Sequence, residues 1–207
     1  QLLHDSTENK ILYEIKDPSL NGLLKPEKRD LYIDFEGYPF LTIGRNFEYL
    51  YGIWSNDERN SFTYYWSDDE EEEKNSFVSF VEKLLEHLEL YPDAKFYHYF
   101  SYEISSLRKS AQIFGMYEKE LEQLIEKKCF VDLFTTVNSS LLIGASSYSL
   151  KTVEKLAGIN RTEELQSGME SIQYFEDYFF NEEYELKDLI IEYNKADCKN
   201  LYLLHDW

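Results

Sequence analysis

Six residues, Leu31-Tyr-Ile-Asp-Phe-Glu36, limit what this chain can become more than any other stretch. Apolar, rich in β-formers and closed by Gly37 and Pro39, they read as a strand. Side chains alternate across a strand, so Ile33 and Phe35 point to one face while Asp34 and Glu36 share the other. It is the first apolar strand of the chain and belongs in a core. Two carboxylates side by side there repel each other unless something cationic binds them. With 40 acids among 207 residues, roughly seven acid-x-acid pairs arise by chance, so the pair needs support from elsewhere.

The support comes from the other end. In the last helical pattern, Leu186, Ile190, Tyr193, Asp197, Leu201 and Leu204 recur at steps of three and four and form one stripe. Asp197 therefore lies on the face that should be buried. A buried, unpaired carboxylate costs several kcal/mol and needs a partner, a proton or a metal. Tyr193, one turn earlier on the stripe, can reach what Asp197 holds. A core tyrosine and an aspartate bonded to a backbone donor would satisfy the same pattern. A further acid, Glu103, opens a helix after the strand that ends at His98-Tyr99, with Ser101 as N-cap. An acid in a first turn needs no function to be there, and a histidine at a strand end is more often structural than a ligand.

Between these points the periodicity alternates between strand and helix. After the first strand come strands over about Glu48–Trp54 and Ser61–Trp66, then a helix from about Glu72 to Leu90 whose start carries a Ser67/Glu70 capping box. Lys95–Tyr99 is a fourth strand and Cys129–Leu133 a short fifth. Helices cover about Tyr102–Phe114 and Glu118–Lys127, with helical pieces near Leu150–Ala157 and Met169–Phe179. The last helix starts near Glu183. This order predicts an α/β fold with a mixed sheet of five strands, three antiparallel and two parallel, and helices on both faces. Residues 1–27, with the turn signals Asp17-Pro18 and Asn21-Gly22, read as a lead-in holding one short helix, and 28–207 as the domain.

The net charge of −19 stands against a nucleic-acid ligand, since phosphate binding usually leaves a basic footprint. Part of it, the run Asp68–Glu73, is a solvated helix start. Bound cations, or basic surface elsewhere in a parent protein, could offset the rest. No apolar run approaches the roughly 20 residues of a membrane helix. Cys129 and Cys198 form no CxxC pair and read as reduced thiols of a cytoplasmic protein. A chain that opens on Gln1 and stops at Trp207 inside a helical pattern is expected to be a segment of a longer polypeptide.

An acid-x-acid pair on strand one, an acid at the strand-four-to-helix junction and Tyr-x-x-x-Asp on the final helix resemble the DEDDy 3′→5′ exonucleases of the ribonuclease H fold. More closely, five ordered motifs resemble the ribonuclease H-like domain of the RecB-type nuclease family, which some members carry beside a helicase. They are Asp34-Phe-Glu-Gly37, Tyr97-His-Tyr-x-x-Tyr-Glu103, Val131-Asp-Leu133, Tyr148-Ser-Leu-Lys151 and Tyr193-Asn-x-x-Asp-Cys198. The resemblance spans about residues 30–207. It implies that Asp34 bridges two Mg²⁺ or Mn²⁺ ions and that Glu36 and Asp197 hold the ion carrying the attacking water. Glu103 would approach the second ion through water, and Tyr193 would orient or help deprotonate the nucleophile. The chemistry stands apart from the family: two cations roughly 3.5–4 Å apart activate a water, neutralise the phosphate and stabilise the leaving oxygen, and hard ions prefer carboxylates. Two departures stand out, Glu103 where those enzymes usually have Asp and Tyr99 where they often have Asn.

The implied function is metal-dependent 3′→5′ exonuclease action on single-stranded DNA or RNA, with Phe35, Tyr99 and Tyr102 available to stack a base. The alternative is a catalytically degenerate domain that binds nucleic acid or docks nuclease or helicase neighbours. Asp132 is expected to be non-catalytic, and Lys151 and Lys155 to be solvated lysines rather than phosphate contacts.

Overall fold

The computed structural model describes residues 12–17, 20, 22–42, 44–162 and 167–207. A short strand, β1 (Tyr13–Ile15), precedes the long hairpin of β2 (Leu31–Thr42) and β3 (Arg45–Ser55), which β4 (Ser61–Trp66) extends. Then come α1 (Glu70–Leu90), β5 (Phe96–His98), α2 (Tyr102–Phe114), α3 (Glu118–Glu126), β6 (Phe130–Asp132), α4 (Leu133–Ser140) and β7 (Leu141–Ile143). The chain closes with α5 (Leu150–Val153), a 3₁₀ turn (Glu154–Ala157), α6 (Gly168–Asn181) and α7 (Leu186–Asp206).

Five strands form the main sheet in the order β4-β3-β2-β5-β6. The β2–β3 and β3–β4 pairs are antiparallel, and β2–β5 and β5–β6 are parallel. This is the mixed sheet that the order of elements predicts. β2 lies at its centre and its two faces serve different cores. Leu31, Ile33 and Phe35 pack with Phe77, Phe80, Val81 and Leu84 of α1 and Leu107 of α2. On the other face Tyr32 packs with Tyr97, Cys198 and Leu201, and further along Tyr38 and Phe47 meet Phe175 and Ile190. Helices thus cover both faces.

Several local expectations differ from the structure for identifiable reasons. β2 runs six residues past Glu36, through Pro39, because register shifts after Glu36 and after Tyr38 free the ladder where proline has no N–H to give. The cap of α1 is Asp69, whose side chain accepts from the Glu72 N–H at 2.8 Å; Ser67 is buried and donates instead to Ser76 Oγ at 2.9 Å. Helix α4 and the two-stranded sheet of β1 and β7 have no counterpart in the sequence pattern. The short helix expected within 1–27, and the turn residues Pro18 and Asn21, lie outside the described residues. The described part of that stretch is tied to the domain by the β1–β7 pairing and by His205, whose Nε2 donates to Leu24 O at 2.6 Å.

One glycine sets how closely α7 can approach the sheet. Gly52 on β3 sits opposite Asp34, and a Cβ built there falls 1.8 Å from Asn194 Oδ1 and 3.1 Å from Cys198 Sγ, both on α7. Gly52→Ala should therefore lower stability by about 3 kcal/mol through overpacking, a drop of roughly 6–12 °C in melting midpoint. Gly168→Ala, where nothing lies within 4 Å, is the control. Equal midpoints in a thermal melt of the two variants would contradict this reading of the α7–sheet contact.

Candidate metal centre

Alternation on β2 delivers Asp34 and Glu36 to the α7 side of the sheet, and the buried stripe of α7 delivers Asp197. Each of the three offers a carboxylate oxygen within 4.8 Å of the others, and Glu36 and Asp197 are buried while Asp34 is partly so. Asn194, one turn before Asp197, donates Nδ2 to Asp34 Oδ2 at 2.8 Å and to Asp34 O at 3.1 Å, so the helix also aims the strand's carboxylate. Ser171 of α6 and Asn194 lie close enough to Glu36 to favour its charged form.

The electrostatics follow from this crowding. Burial first, then the charges of Asp197, Glu36 and Glu103, push the Asp34 carboxyl well above the usual carboxylate range. Glu36 is raised by burial and by Asp197. The donors are all hard oxygens, with no histidine or thiol among them, and the carboxylates outnumber the cations that face them. That combination fits a divalent cation of the Mg²⁺ or Mn²⁺ type.

Among the described residues, two cationic side chains reach the site. Lys151 of α5 donates Nζ to the Tyr193 hydroxyl and lies 4.3 Å from its ring centroid, so it is not the solvated lysine that the sequence suggests; Lys155 is exposed. Arg161 follows Gly158, whose left-handed conformation (φ 72°) ends the 3₁₀ turn and folds the chain back onto it. Its Nε and Nη2 fork onto Glu154 at 2.6 and 2.9 Å, and Nη2 also donates to Asp197 Oδ1. Asn200 holds the same Glu154 oxygen at 3.0 Å. Neither Arg161 nor Glu154 stands out in the sequence, because contacts made by a loop carry no periodicity.

Glu103 is placed in the first turn of α2, as expected; it is buried and lies outside the group of three. Its Oε2 is 3.4 Å from His98 Nδ1, whose proton goes to Phe100 O at 2.7 Å. Tyr193 is buried beside Asp197, with its hydroxyl held neutral by burial and by the neighbouring carboxylates. Asp132 caps α4 through the Phe134 N–H at 2.9 Å and accepts the Phe100 N–H at 2.9 Å, a structural role. Of the aromatics expected to stack a base, Phe35 is buried in the core and cannot, while Tyr99 and Tyr102 spend their hydroxyls on Tyr148 O and Glu48.

The raised carboxyls make a prediction with a definite sign. The native protein keeps protons that the unfolded chain releases near pH 4, so the stability they contribute is complete below that pH and is lost as pH rises through the native values. Glu48, pushed up to about 7 by burial, acts in the same direction. Without metal, the melting midpoint should fall between about pH 5 and 8, and Asp34→Asn should flatten the fall and raise the midpoint at the upper end. A midpoint that rises with pH over that window, unaffected by the substitution, would contradict the account.

A sequence profile of the RNase_H superfamily matches residues 31–207, the span that contains all of these side chains. Neither the curated proteins nor the solved structures yield a match. Profile, sheet and acid cluster agree, and the chain belongs to the RNase_H superfamily.

Proposed function

We propose that this protein is a metal-dependent 3′→5′ exonuclease that hydrolyses phosphodiester bonds of DNA or RNA, acting on single-stranded ends. Superfamily membership points to nucleic-acid hydrolysis, and the observation that carries the rest is the convergence of Asp34, Glu36 and Asp197 beside the Tyr193 hydroxyl. Polarity and the preference for unpaired ends rest on the resemblance of the five motifs to DEDDy enzymes.

In this reading Asp34, Glu36 and Asp197 hold the divalent cations, and Glu103, whose charge is felt at Asp34, supports a second ion through water. Bound there, such ions lower the pKa of water and neutralise charge on the phosphate. Tyr193, set beside Asp197, orients the nucleophile or helps to deprotonate it. Asn194 keeps Asp34 aimed, and the amphipathic packing of α7 keeps Asp197 and Tyr193 on one face. Phe35 being buried, Phe100 joins the half-buried Tyr99 and Tyr102 as the stacking surface. Phe100 is exposed, follows β5, the parallel neighbour of β2, and is held at φ 78° by the His98 and Asp132 contacts, a costly conformation for a bulky residue.

The contact of Arg161 with Asp197 favours a second reading, a domain that binds nucleic acid without cutting it. One assay separates the two: a 5′-labelled single strand with Mn²⁺, next to a 3′-phosphate-blocked strand and a closed circle. The exonuclease gives a descending ladder from the open strand and leaves the circle intact. Asp197→Asn should abolish it, Tyr193→Phe should lose on the order of 10²–10⁴ in kcat, and Phe100→Ala should raise KM with kcat nearly unchanged. Rapid cutting of the circle would overturn the polarity, and no cutting of any strand would favour the second reading.

A further inference from the structure

We propose that Arg161 is a built-in counter-cation that occupies Asp197 when no metal is bound and gives it up to the incoming ion, with Glu154 as its permanent anchor. The inference rests on the metal-site reading above and goes beyond it by assigning a residue that sets how tightly the metal binds. Three observations carry it.

The first is the asymmetry of the two carboxylates. Glu154 takes both Nε and Nη2 of Arg161 in the parallel fork that makes arginine–carboxylate pairs strong, and Asn200 fixes Glu154 from α7. Asp197 receives only a shared Nη2. Arg161 can therefore leave Asp197 and remain held and neutralised.

The second is burial. The Arg161 side chain is 6% exposed and those of Glu154 and Asp197 are 2% and 9% exposed, so the three charges interact with little solvent screening. Burial opposes the charged guanidinium, and Glu154 and Asp197 more than offset it. A carboxylate in such a place would be costly to leave unpaired between metal-binding events, and Arg161 removes that cost.

The third is an unfinished bond. Arg161 Nη1 is buried and has no hydrogen-bond partner among the described residues. A guanidinium with one buried nitrogen unsatisfied is not in its best-bonded position, so a shift away from Asp197 can recover a hydrogen bond that the present position forgoes.

Exchange of this kind makes Arg161 a competitor of the metal, and that gives opposite signs for two members of one network. Mn²⁺ binding is read by calorimetry and by the metal-dependent shift in melting midpoint, with no substrate present. Arg161→Gln should melt lower without metal yet bind Mn²⁺ about tenfold more tightly or better. Glu154→Gln, which leaves Asp197 as the only carboxylate for Arg161, should bind Mn²⁺ several-fold more weakly, on the scale of a close charge pair. Lys151→Gln measures the simple removal of a nearby positive charge: Lys151 donates to Tyr193 and its charge is felt at Asp34 and Glu36, but it makes no ion pair with a carboxylate of the cluster. It should tighten Mn²⁺ binding by less than Arg161→Gln does, because it occupies no ligand.

An Arg161→Gln protein that binds Mn²⁺ no more tightly than the parent, or no more tightly than Lys151→Gln, overturns the proposal while leaving the metal site intact. If Arg161→Gln does not fold without metal, Glu154→Gln decides alone, and unchanged or tighter binding overturns it. Failure of the parent protein to bind Mn²⁺ at all is a different result and removes the metal-site reading itself.

Discussion

Mutual repulsion among buried carboxylates is the constraint on which the rest of this structure depends. Asp34, Glu36 and Asp197 bring oxygens within 4.8 Å of one another at the seam between a central strand and the last helix. Packing forces that approach. The same strand that presents the acids on one face presents Leu31, Ile33 and Phe35 to an aliphatic and aromatic core on the other. The same helix that presents Asp197 buries Ile190, Leu201 and Leu204. Neither element can turn its acids towards solvent without exposing its apolar side chains, so the cluster is held by hydrophobic burial of the kind that dominates folding.

The surroundings moderate the repulsion without cancelling it. Asn194 gives an amide to Asp34, Gly52 leaves the space that lets Asn194 reach it, and Arg161 bridges Asp197 to Glu154. What remains is an excess of carboxylate over cation at the seam between β2 and α7. A compact divalent ion with oxygen preference is the chemical complement of that excess.

Legibility from sequence followed periodicity. Asp34 and Glu36 could be placed on one face because strands alternate, and Tyr193 and Asp197 on one stripe because α7 repeats every three to four residues. The order of the long elements was enough for the sheet. Features without a period were not legible: the three-residue strands β1 and β7, the short helix α4 after Asp132, and the Glu154–Arg161 fork made by a turn folding back at Gly158. Phe35 illustrates the reverse error, since nearness in sequence to the acids suggested a base-stacking role that its own alternation sends into the core. Glu103 falls between. Its place in a first turn could be read, but its pairing with His98 and its separation from the other three acids depend on how α2 sits on the sheet.

The central claim is that the seam between β2 and α7 is a cation site. Anomalous scattering from crystals grown without metal and soaked in Mn²⁺ tests it most directly, because the signal locates the ion independently of any activity. The account predicts a peak between the carboxylates of Asp34, Glu36 and Asp197. Well-ordered crystals with no anomalous density there at saturating Mn²⁺ would contradict it.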